Sequence, residues 1–229
     1  MTVTSTSLTR AAGLSAAVAG LIFISVQINH PPMEVASVTT TEWAVRSTAK
    51  FVMTALTLAG ITGMYLRQVR KVGVLGLVGY LVFSAGYLVM LGVEFMAAFV
   101  IPSLADTAPG YVQDVLTASI GGSPTGDIGR LQGALAASGV GYMAGGLLFG
   151  IALYRARVLA RWAAALLAVS TAATVALAFL PESFNRPFAI PTGVALVGLG
   201  ISLWRDQRRQ GTDIADLATA GRFDHQAVR

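Results

Sequence analysis

Long apolar runs separated by short polar segments dominate the chain. A helix needs about 20 mostly apolar residues to cross about 30 Å of hydrocarbon. Six runs reach about this length, and they predict an all-α, polytopic membrane bundle with six transmembrane helices. The six predicted spans are Ala11–Ile28, Trp43–Leu66, Gly73–Ile101, Leu131–Tyr154, Arg161–Leu180 and Phe188–Trp204.

Composition supports this division of the chain. Of 229 residues, 55% are hydrophobic and only 12% are charged, which is more apolar than a soluble core of this size requires. We therefore expect one transmembrane domain over residues 1–204 and a cytoplasmic tail over residues 205–229. The first run is interpreted as a retained helix, because no small-x-small cleavage site precedes Gln27.

The basic residues predict the orientation. Twelve of the sixteen Lys and Arg residues fall on one side of this topology, and only Arg46, Lys50, Arg130 and Arg186 fall on the other. The positive-inside rule therefore places both termini in the cytoplasm, in a multi-pass protein of the plasma membrane. The net charge of +5 favours membrane lipids as partners and gives no support to nucleic acid.

Two segments allow more than one interpretation. Gly141-x-x-x-Gly145 and Gly146-x-x-x-Gly150 let another helix approach closely, either inside the bundle or across a homodimer face, so the oligomeric state stays open. In the outer loop 102–130, the segment Tyr111–Ile120 has apolar residues at helical spacing. It is either a short interfacial helix that acts as a lid or a plain connecting loop.

Glu94 is the most informative residue, because it is the only charged residue in the apolar run Gly73–Ile101. A carboxyl group at membrane depth is costly, by about 2.5–3.5 kcal/mol on insertion scales, and usually has a partner or a function. Arg46 and Glu94 are each 24 residues from Arg70, where the chain turns, so a hairpin places them at similar depth, with Lys50 one turn deeper. A structural Glu94–Arg46 ion pair is therefore one explanation.

An aromatic stripe suggests a second explanation. Tyr80, Phe83, Tyr87 and Met90 lie on the same helix face as Glu94, and the preceding helix can add further aromatic side chains. An apolar pocket disfavours the charged form of a carboxyl group, which can then donate a proton, and aromatic faces stabilise cations. The predicted substrate-binding residues are His30, Trp43, Arg46, Lys50, Phe51, Tyr80, Phe83, Tyr87 and Met90.

Together, an acid and an aromatic sleeve match protonation-initiated cyclisation of an isoprenoid. A lipophilic substrate would enter from the bilayer, receive a proton at a double bond and lose a proton after ring closure. If Arg46 keeps Glu94 charged, the donor would be Glu42 or Glu34, and Glu94 would be the base or the cation stabiliser. The predicted catalytic residues are Glu94, Glu42 and Glu34.

Several segments also carry a resemblance to a known group. They are Asn29–Pro32, Ala36–Trp43, Val93–Phe95 and Ile101–Pro102. With the size, the six-helix layout and the absence of Cys, they resemble small actinobacterial six-helix membrane proteins, including the bacterial membrane-bound terpene cyclases of drimentine-type indole sesquiterpenoid pathways. The resemblance implies metal-independent cyclisation of a farnesylated indole or related terpenoid without a cofactor, and it assigns no residue roles.

Other classes of function stay open. A non-enzymatic membrane protein would need Glu94 only for a structural pair. A small lipid or solute transporter is expected to have broken helices that meet at the midplane, whereas Pro191 is the only proline inside a predicted span. A histidine metal site is not expected, because His30 and His225 fall on opposite sides of the predicted topology.

Overall fold

The computed structural model describes the backbone of residues 4–227, and the side chains of this range except those of residues 182 and 208–227. Every regular element in this part of the chain is helical. Two short 3₁₀ segments, Thr174–Phe179 and Glu182–Phe184, precede the last helix. The α-helices are α1 (Ser5–Ser25), α2 (Val35–Val38), α3 (Thr41–Phe99), α4 (Ile101–Leu104), α5 (Pro109–Ser119), α6 (Leu131–Ala156), α7 (Arg161–Ala173) and α8 (Asn185–Ala227).

Five stretches of the described chain are long and apolar enough to cross a membrane. Large apolar side chains also remain exposed on the outward helix faces, with Val74 77% and Phe179 87% exposed. Both observations are typical of a multi-pass membrane protein. The five stretches are Ser5–Ser25, Thr41–Phe99, Leu131–Ala156, Arg161–Phe179 and Asn185–Gln207.

The longest helix, α3, is a folded hairpin. A straight helix of its 59 residues would be about 88 Å long, far more than the hydrocarbon thickness of about 30 Å. The helical path is broken at Gln68 (φ −132°, ψ 23°) and at Gly73 (φ 58°, ψ −160°). The conformation of Gly73 is accessible essentially only to glycine. These breaks separate a first limb, residues 41–67, from a second limb, residues 74–99.

Contacts between the limbs show that they run antiparallel. Near the turn, the rings of Tyr65 and Tyr80 stack with centroids 4.4 Å apart. At the far end, the indole nitrogen of Trp43 donates to the carbonyl oxygen of Ala97 at 3.0 Å. The two apolar runs predicted on either side of Arg70 are therefore the limbs of one hairpin.

Small residues let the helices pack as a closed ring. The first limb packs on α1, the second limb on α6, and α6 on α7, while α8 closes the ring between α7 and α1. Both Gly-x-x-x-Gly motifs of α6 pack inside the bundle, one against the second limb and the other against α7. Closest pairs include Gly60 with Ala16, Gly63 with Ala12, Gly141 with Gly86, Gly145 with Phe83, Gly150 with Ala168, Gly198 with Ala163 and Gly200 with Ala17.

Two buried clusters fill the structure. The larger one is centred on Phe83, Tyr87 and Phe149, between the second limb and α6. The smaller one lies at the other end of the hairpin, where α5 buries Val112 and Leu116 beside residues that include Trp43 and Ile101. A helix therefore forms over residues 109–119, close to the predicted segment Tyr111–Ile120, and its apolar face is buried against the protein.

At the carboxyl end, the helix boundary differs from the sequence-based expectation. The tail was expected to begin at Arg205, but α8 continues to Ala227 without a break there. Asp206 accepts a hydrogen bond from Nε of Arg67 at 2.5 Å, which connects this part of α8 to the end of the first limb. The start of a cytoplasmic tail at Arg205 concerns the end of the membrane span and stays a prediction.

Replacing Gly145 with alanine tests the close packing of α6. A Cβ atom at this position would overlap the backbone of Phe83, and overpacking typically costs about 1–3 kcal/mol. We expect Gly145→Ala to lower the unfolding midpoint of the detergent-solubilised protein by several degrees in a thermal melt.

Gly139→Ala is the matched control for this experiment. It lies on the same helix, and a Cβ atom there would meet no other atom within 4 Å. Because alanine is a better helix former than glycine by about 1 kcal/mol, its midpoint should be unchanged or slightly higher. Equal losses in both variants would argue against the packing explanation.

Candidate functional site

A cavity of about 840 Å³ lies between the end of the α3 hairpin that is remote from its turn, α6, the turn after α5 and the start of α8. Its volume is within the range of about 300–1,000 Å³ that small-molecule sites occupy. The wall is mostly apolar, but it includes one carboxylate and two cations. Lining residues include Trp43, Ser47, Lys50, Met90, Glu94, Leu116, Ser119, Gln132, Leu135, Ser138, Leu177, Asn185 and Arg186.

Glu94 is the only carboxylate among the described side chains of the cavity wall. The second limb of α3 carries it, and its side chain is half-buried. Lys50 on the first limb and Arg186 at the start of α8 are the cations whose charges act on it. Within the described part of the chain, no hydrogen bond and no ion pair within 4.0 Å joins the Glu94 carboxylate to another residue. The group is therefore available to a ligand.

Equal depth on the hairpin had suggested an ion pair between Arg46 and Glu94, but the two residues do not pair. Its Nε lies 2.9 Å from Oε1 of Glu42, one helical turn away, and its Nη1 donates to the carbonyl oxygen of Ile28 at 2.8 Å. A guanidinium is attracted to carbonyl groups just after a helix end, because they carry partial negative charge. Arg46 therefore ties the chain after α1 to α3.

Neither Glu42 nor Glu34 lines the cavity. The side chain of Glu42 is 52% exposed and bound to Arg46. Glu34 is exposed just before α2. Their expected role as alternative proton donors therefore has no geometric basis in this cavity.

His30 lies beside the site and makes two hydrogen bonds. Its Nδ1 is 2.8 Å from the carbonyl oxygen of Pro31, and its Nε2 is 2.9 Å from Nζ of Lys50. A carbonyl only accepts and an ammonium only donates, so the neutral tautomer with hydrogen on Nδ1 satisfies both bonds. Burial, followed by the charge of Lys50, lowers the pKa of His30 from 6.5 to about 3.

That tautomer leaves Arg186 without an acceptor on the imidazole. Nη2 of Arg186 lies 3.1 Å from Nδ1 of His30. An Nδ1 that already donates to Pro31 has no lone pair in the ring plane for a second N–H. This contact involves one N–H group of Arg186 at most, so the guanidinium retains other N–H groups for a ligand.

The aromatic stripe of the second limb divides between the core and the cavity. Phe83 and Tyr87 are 0% and 1% exposed and belong to the larger core cluster, so they provide packing and not cavity wall. Tyr80 stacks on Tyr65. Only Met90 and Glu94, at the outer end of the stripe, reach the cavity.

Of the aromatic residues expected from the first limb, one lines the cavity. Trp43 does so, and its ring is fixed by the hydrogen bond to Ala97 and by an edge contact with His30 at 6.2 Å. Phe51 instead packs against Phe95 and Phe99, which are about half-exposed on the outer surface. The cavity wall therefore includes one largely buried aromatic ring and not an aromatic sleeve.

Arg186 is the main site residue that sequence reasoning did not select. It was recognised only as one of four outer cations, because 92 residues separate it from Glu94. Ring closure by α8 brings the two together. The available signal was its position directly before the last apolar run, on the same predicted side as Glu94.

The loop around α5 contributes to the cavity wall. Ser119, Ile120 and Gly121, at the end of α5, line the cavity. Asp114 fixes the following loop by accepting bonds from the backbone N–H groups of Thr125 at 2.7 Å and Gly126 at 3.0 Å. These bonds hold the pKa of Asp114 below its usual value. The loop therefore has a defined attachment beside the cavity.

No family model, curated protein or solved structure matches this chain. Within the described residues, no group of three or more His, Asp or Glu side chains is arranged to hold a metal ion. The site is therefore interpreted from its own geometry.

Neutral His30 predicts acid sensitivity of the folded protein. The unfolded chain protonates this imidazole near pH 6.5, but the folded protein does so only near pH 3, because Lys50, Arg46 and Arg186 surround a partly buried ring. The stability from neutral His30 is therefore complete above about pH 6.5 and is lost as the pH falls below it.

Thermal melts of the wild type and His30→Gln, at about pH 7.5 and about pH 5, test this expectation. Glutamine stays uncharged at both values and can accept a hydrogen bond from Lys50. The loss in midpoint between the two pH values should be smaller in the variant. An equal loss in both proteins would show that His30 is not the group responsible.

Proposed function

We propose that the protein is a plasma-membrane protein whose six helices cross the bilayer, with both termini in the cytoplasm. Support comes from two independent features. The α3 hairpin supplies two antiparallel apolar limbs of 27 and 26 residues, each long enough for one crossing. Most basic residues fall on the side of its turn, as the positive-inside rule requires for the cytoplasmic face.

Single cysteines test this orientation, since the chain contains no Cys. Ser123 and Lys71 are both exposed, the first in the loop after α5 and the second at the hairpin turn. In intact cells, a membrane-impermeant maleimide should label Ser123→Cys. Lys71→Cys should react only after permeabilisation. The reverse pattern would contradict the proposed orientation.

We further propose that the cavity is the active site of a membrane terpene cyclase. The reaction would be protonation-initiated cyclisation of a prenylated indole or a related terpenoid that enters from the bilayer. The observation that carries this proposal is the Glu94 carboxyl group, which lies on the wall of a mostly apolar cavity without a hydrogen-bond partner among the described residues.

One carboxyl group can act as both the acid and the base in the proposed reaction. Protonated Glu94 gives its proton to one carbon of a substrate double bond, and the π electrons form the new C–H bond. Another double bond attacks the carbocation and closes the ring. The Glu94 carboxylate then removes a proton from a carbon next to the cation, which restores a double bond. Substrate and product are isomers, so the reaction consumes no cofactor.

Other cavity residues have roles in the same scheme. The face of Trp43 can stabilise a carbocation through its quadrupole, while Met90 and Leu135 provide apolar wall. Lys50 and Arg186 compensate the charge of Glu94 after proton transfer. This assignment reduces the predicted aromatic contribution to one ring.

A second candidate is a small lipid or solute transporter. The helical path beside the cavity is irregular, because α7 changes to a 3₁₀ segment at Thr174, and Leu177 and Ala178 of that segment line the cavity. Pro191 also interrupts the backbone hydrogen bonding of α8. Irregular helices beside a cavity are a feature of transporters. Solute flux in proteoliposomes, absent from empty vesicles, would support this candidate.

A non-enzymatic protein is the remaining alternative, in which the cluster of His30, Lys50 and Arg186 only ties the outer helix ends together. An activity assay that compares the wild type with a Glu94 variant distinguishes this alternative from the cyclase proposal.

Glu94→Gln tests the cyclase proposal. Membranes containing the wild type should convert a farnesylated indole diketopiperazine into cyclised isomers, detected by chromatography and mass spectrometry. Loss of the acid should reduce the rate by about 10²–10⁴-fold, the usual contribution of general acid–base catalysis.

Glu42→Gln is the matched control, because Glu42 is outside the cavity and bound to Arg46. It should retain activity within a few-fold of the wild type. Equal turnover by both variants would remove Glu94 from the mechanism. Unchanged linear substrate with the wild type would contradict the cyclase proposal for this substrate.

A further inference from the structure

The described side chains of the cavity wall carry more positive than negative charge. Among them, Lys50 and Arg186 contribute two positive charges, and Glu94 contributes at most one negative charge. His30 adds none, because burial and the charge of Lys50 lower its pKa to about 3. An uncompensated cation in low-dielectric surroundings is unfavourable, and arginine cannot lose its proton. The site therefore favours a ligand that brings a negative charge.

The hydrogen-bonding capacity of the two cations also remains largely unused. Lys50 has three N–H donors, and one of them is directed to Nε2 of His30. Arg186 has five, and its close approach to His30 meets a nitrogen that already donates to Pro31. Within the described residues, neither cation has a carboxylate within 4.0 Å. Both can therefore donate to an anion in the cavity.

The remainder of the wall favours a ligand that is larger and more apolar than a small hydrophilic anion. Met90 and Leu135 are partly exposed apolar residues of the wall, and the buried side chains of Trp43 and Leu116 also line it. The volume of about 840 Å³ is far larger than a phosphate or carboxylate alone requires, given about 30 Å³ for one water molecule. The cavity therefore combines a cationic end with apolar space for a chain.

We propose that the cavity binds an amphiphile with one apolar chain and one anionic head group, with the head held between Lys50 and Arg186. Carboxylate and phosphate heads share the required chemistry, since a guanidinium can donate two parallel hydrogen bonds to either. The inference rests on the proposed function and narrows its substrate class to prenylated compounds with an acidic head, which a neutral farnesylated indole diketopiperazine lacks. Binding and turnover nevertheless test the two claims separately.

Four probes with matched parts test the ligand class on the purified full-length protein in a non-ionic detergent. Farnesyl phosphate and farnesoic acid carry a chain and an anionic head, farnesol carries a similar chain without charge, and inorganic phosphate carries the head without the chain. Titration calorimetry should show at least tenfold tighter binding of one or both anionic amphiphiles than of farnesol or inorganic phosphate.

The relative affinities of the four probes show which head group the cavity prefers and whether binding requires an apolar chain. Tighter binding of the phosphate or of the carboxylate would identify the preferred head. Farnesol binding as tightly as both charged probes would overturn the proposed anion site. Inorganic phosphate binding as tightly as farnesyl phosphate would overturn the requirement for a chain.

Variants then test the placement of the head. Lys50→Gln and Arg186→Gln should each weaken binding of the preferred charged probe at least tenfold and leave farnesol unchanged, while Arg186→Lys should retain part of the affinity. Arg130→Gln removes the same charge from an exposed outer position outside the cavity and should bind like the wild type. Equal losses in Arg130→Gln and Arg186→Gln would overturn the placement.

Glu94→Gln separates this inference from the proposed reaction. Removing a negative charge from the same wall should leave binding of the anionic probe unchanged or make it tighter, whereas the cyclase proposal requires loss of turnover. At least tenfold weaker binding by Glu94→Gln would contradict the head-group assignment. If Lys50→Gln does not fold because its bond to His30 is lost, Arg186→Gln and the wild-type comparison with farnesol still decide the question.

Discussion

The antiparallel pairing of the two α3 limbs determines where the charged groups of the cavity lie. The chain reverses over the six residues from Gln68 to Gly73, and the hydrogen bond from Trp43 to Ala97 aligns the far ends. This alignment places Lys50 and Glu94 on the wall of one cavity. A shift of one limb by a single helical turn would move these charges by about 5.4 Å relative to each other.

The net charge of the cluster formed by His30, Lys50 and Arg186 depends on the protonation state of the His30 imidazole. His30 accepts from Lys50 and donates to the carbonyl of Pro31, which makes its neutral form the favoured one. A neutral ring cannot compensate the nearby guanidinium of Arg186. Arg46 is occupied by Glu42 and by carbonyl groups after α1, so it leaves Glu94 to the other two cations. The positive excess in the cavity is therefore a direct result of how these side chains are paired.

Sequence patterns predicted the general fold well and the site only in part. Apolar run lengths identified the helices, the spacing of Gly141, Gly145, Gly146 and Gly150 identified close packing, and helical spacing in the outer loop identified the position of α5. These features depend on local sequence. Glu94, Lys50, Met90 and Trp43 line one cavity because they lie on a single hairpin whose register can be counted, and their predicted roles stay predictions.

The remaining site residues depended on information that local sequence does not contain. Phe83 and Tyr87 lie on the same stripe as Glu94, but the packing of α6 against the second limb turns that part of the stripe into core. Arg186 reaches the cavity only because α8 closes the ring. Arg46 satisfied nearby carbonyl groups and an adjacent carboxylate in preference to an acid on the other limb. In each case, tertiary contacts between distant segments decided the outcome.

Helix α6 is enclosed on two faces, since glycines on one side touch the second limb of α3 and glycines on the other touch α7. Because α6 is in backbone contact with both neighbours, it can rotate or slide very little without steric overlap. A bulky ligand would therefore have to enter the cavity past other parts of its wall. Of the irregular parts of the wall, the loop after α5 is held by Asp114, so the 3₁₀ segment after α7 is the part whose displacement would admit a ligand while α6 stays in place.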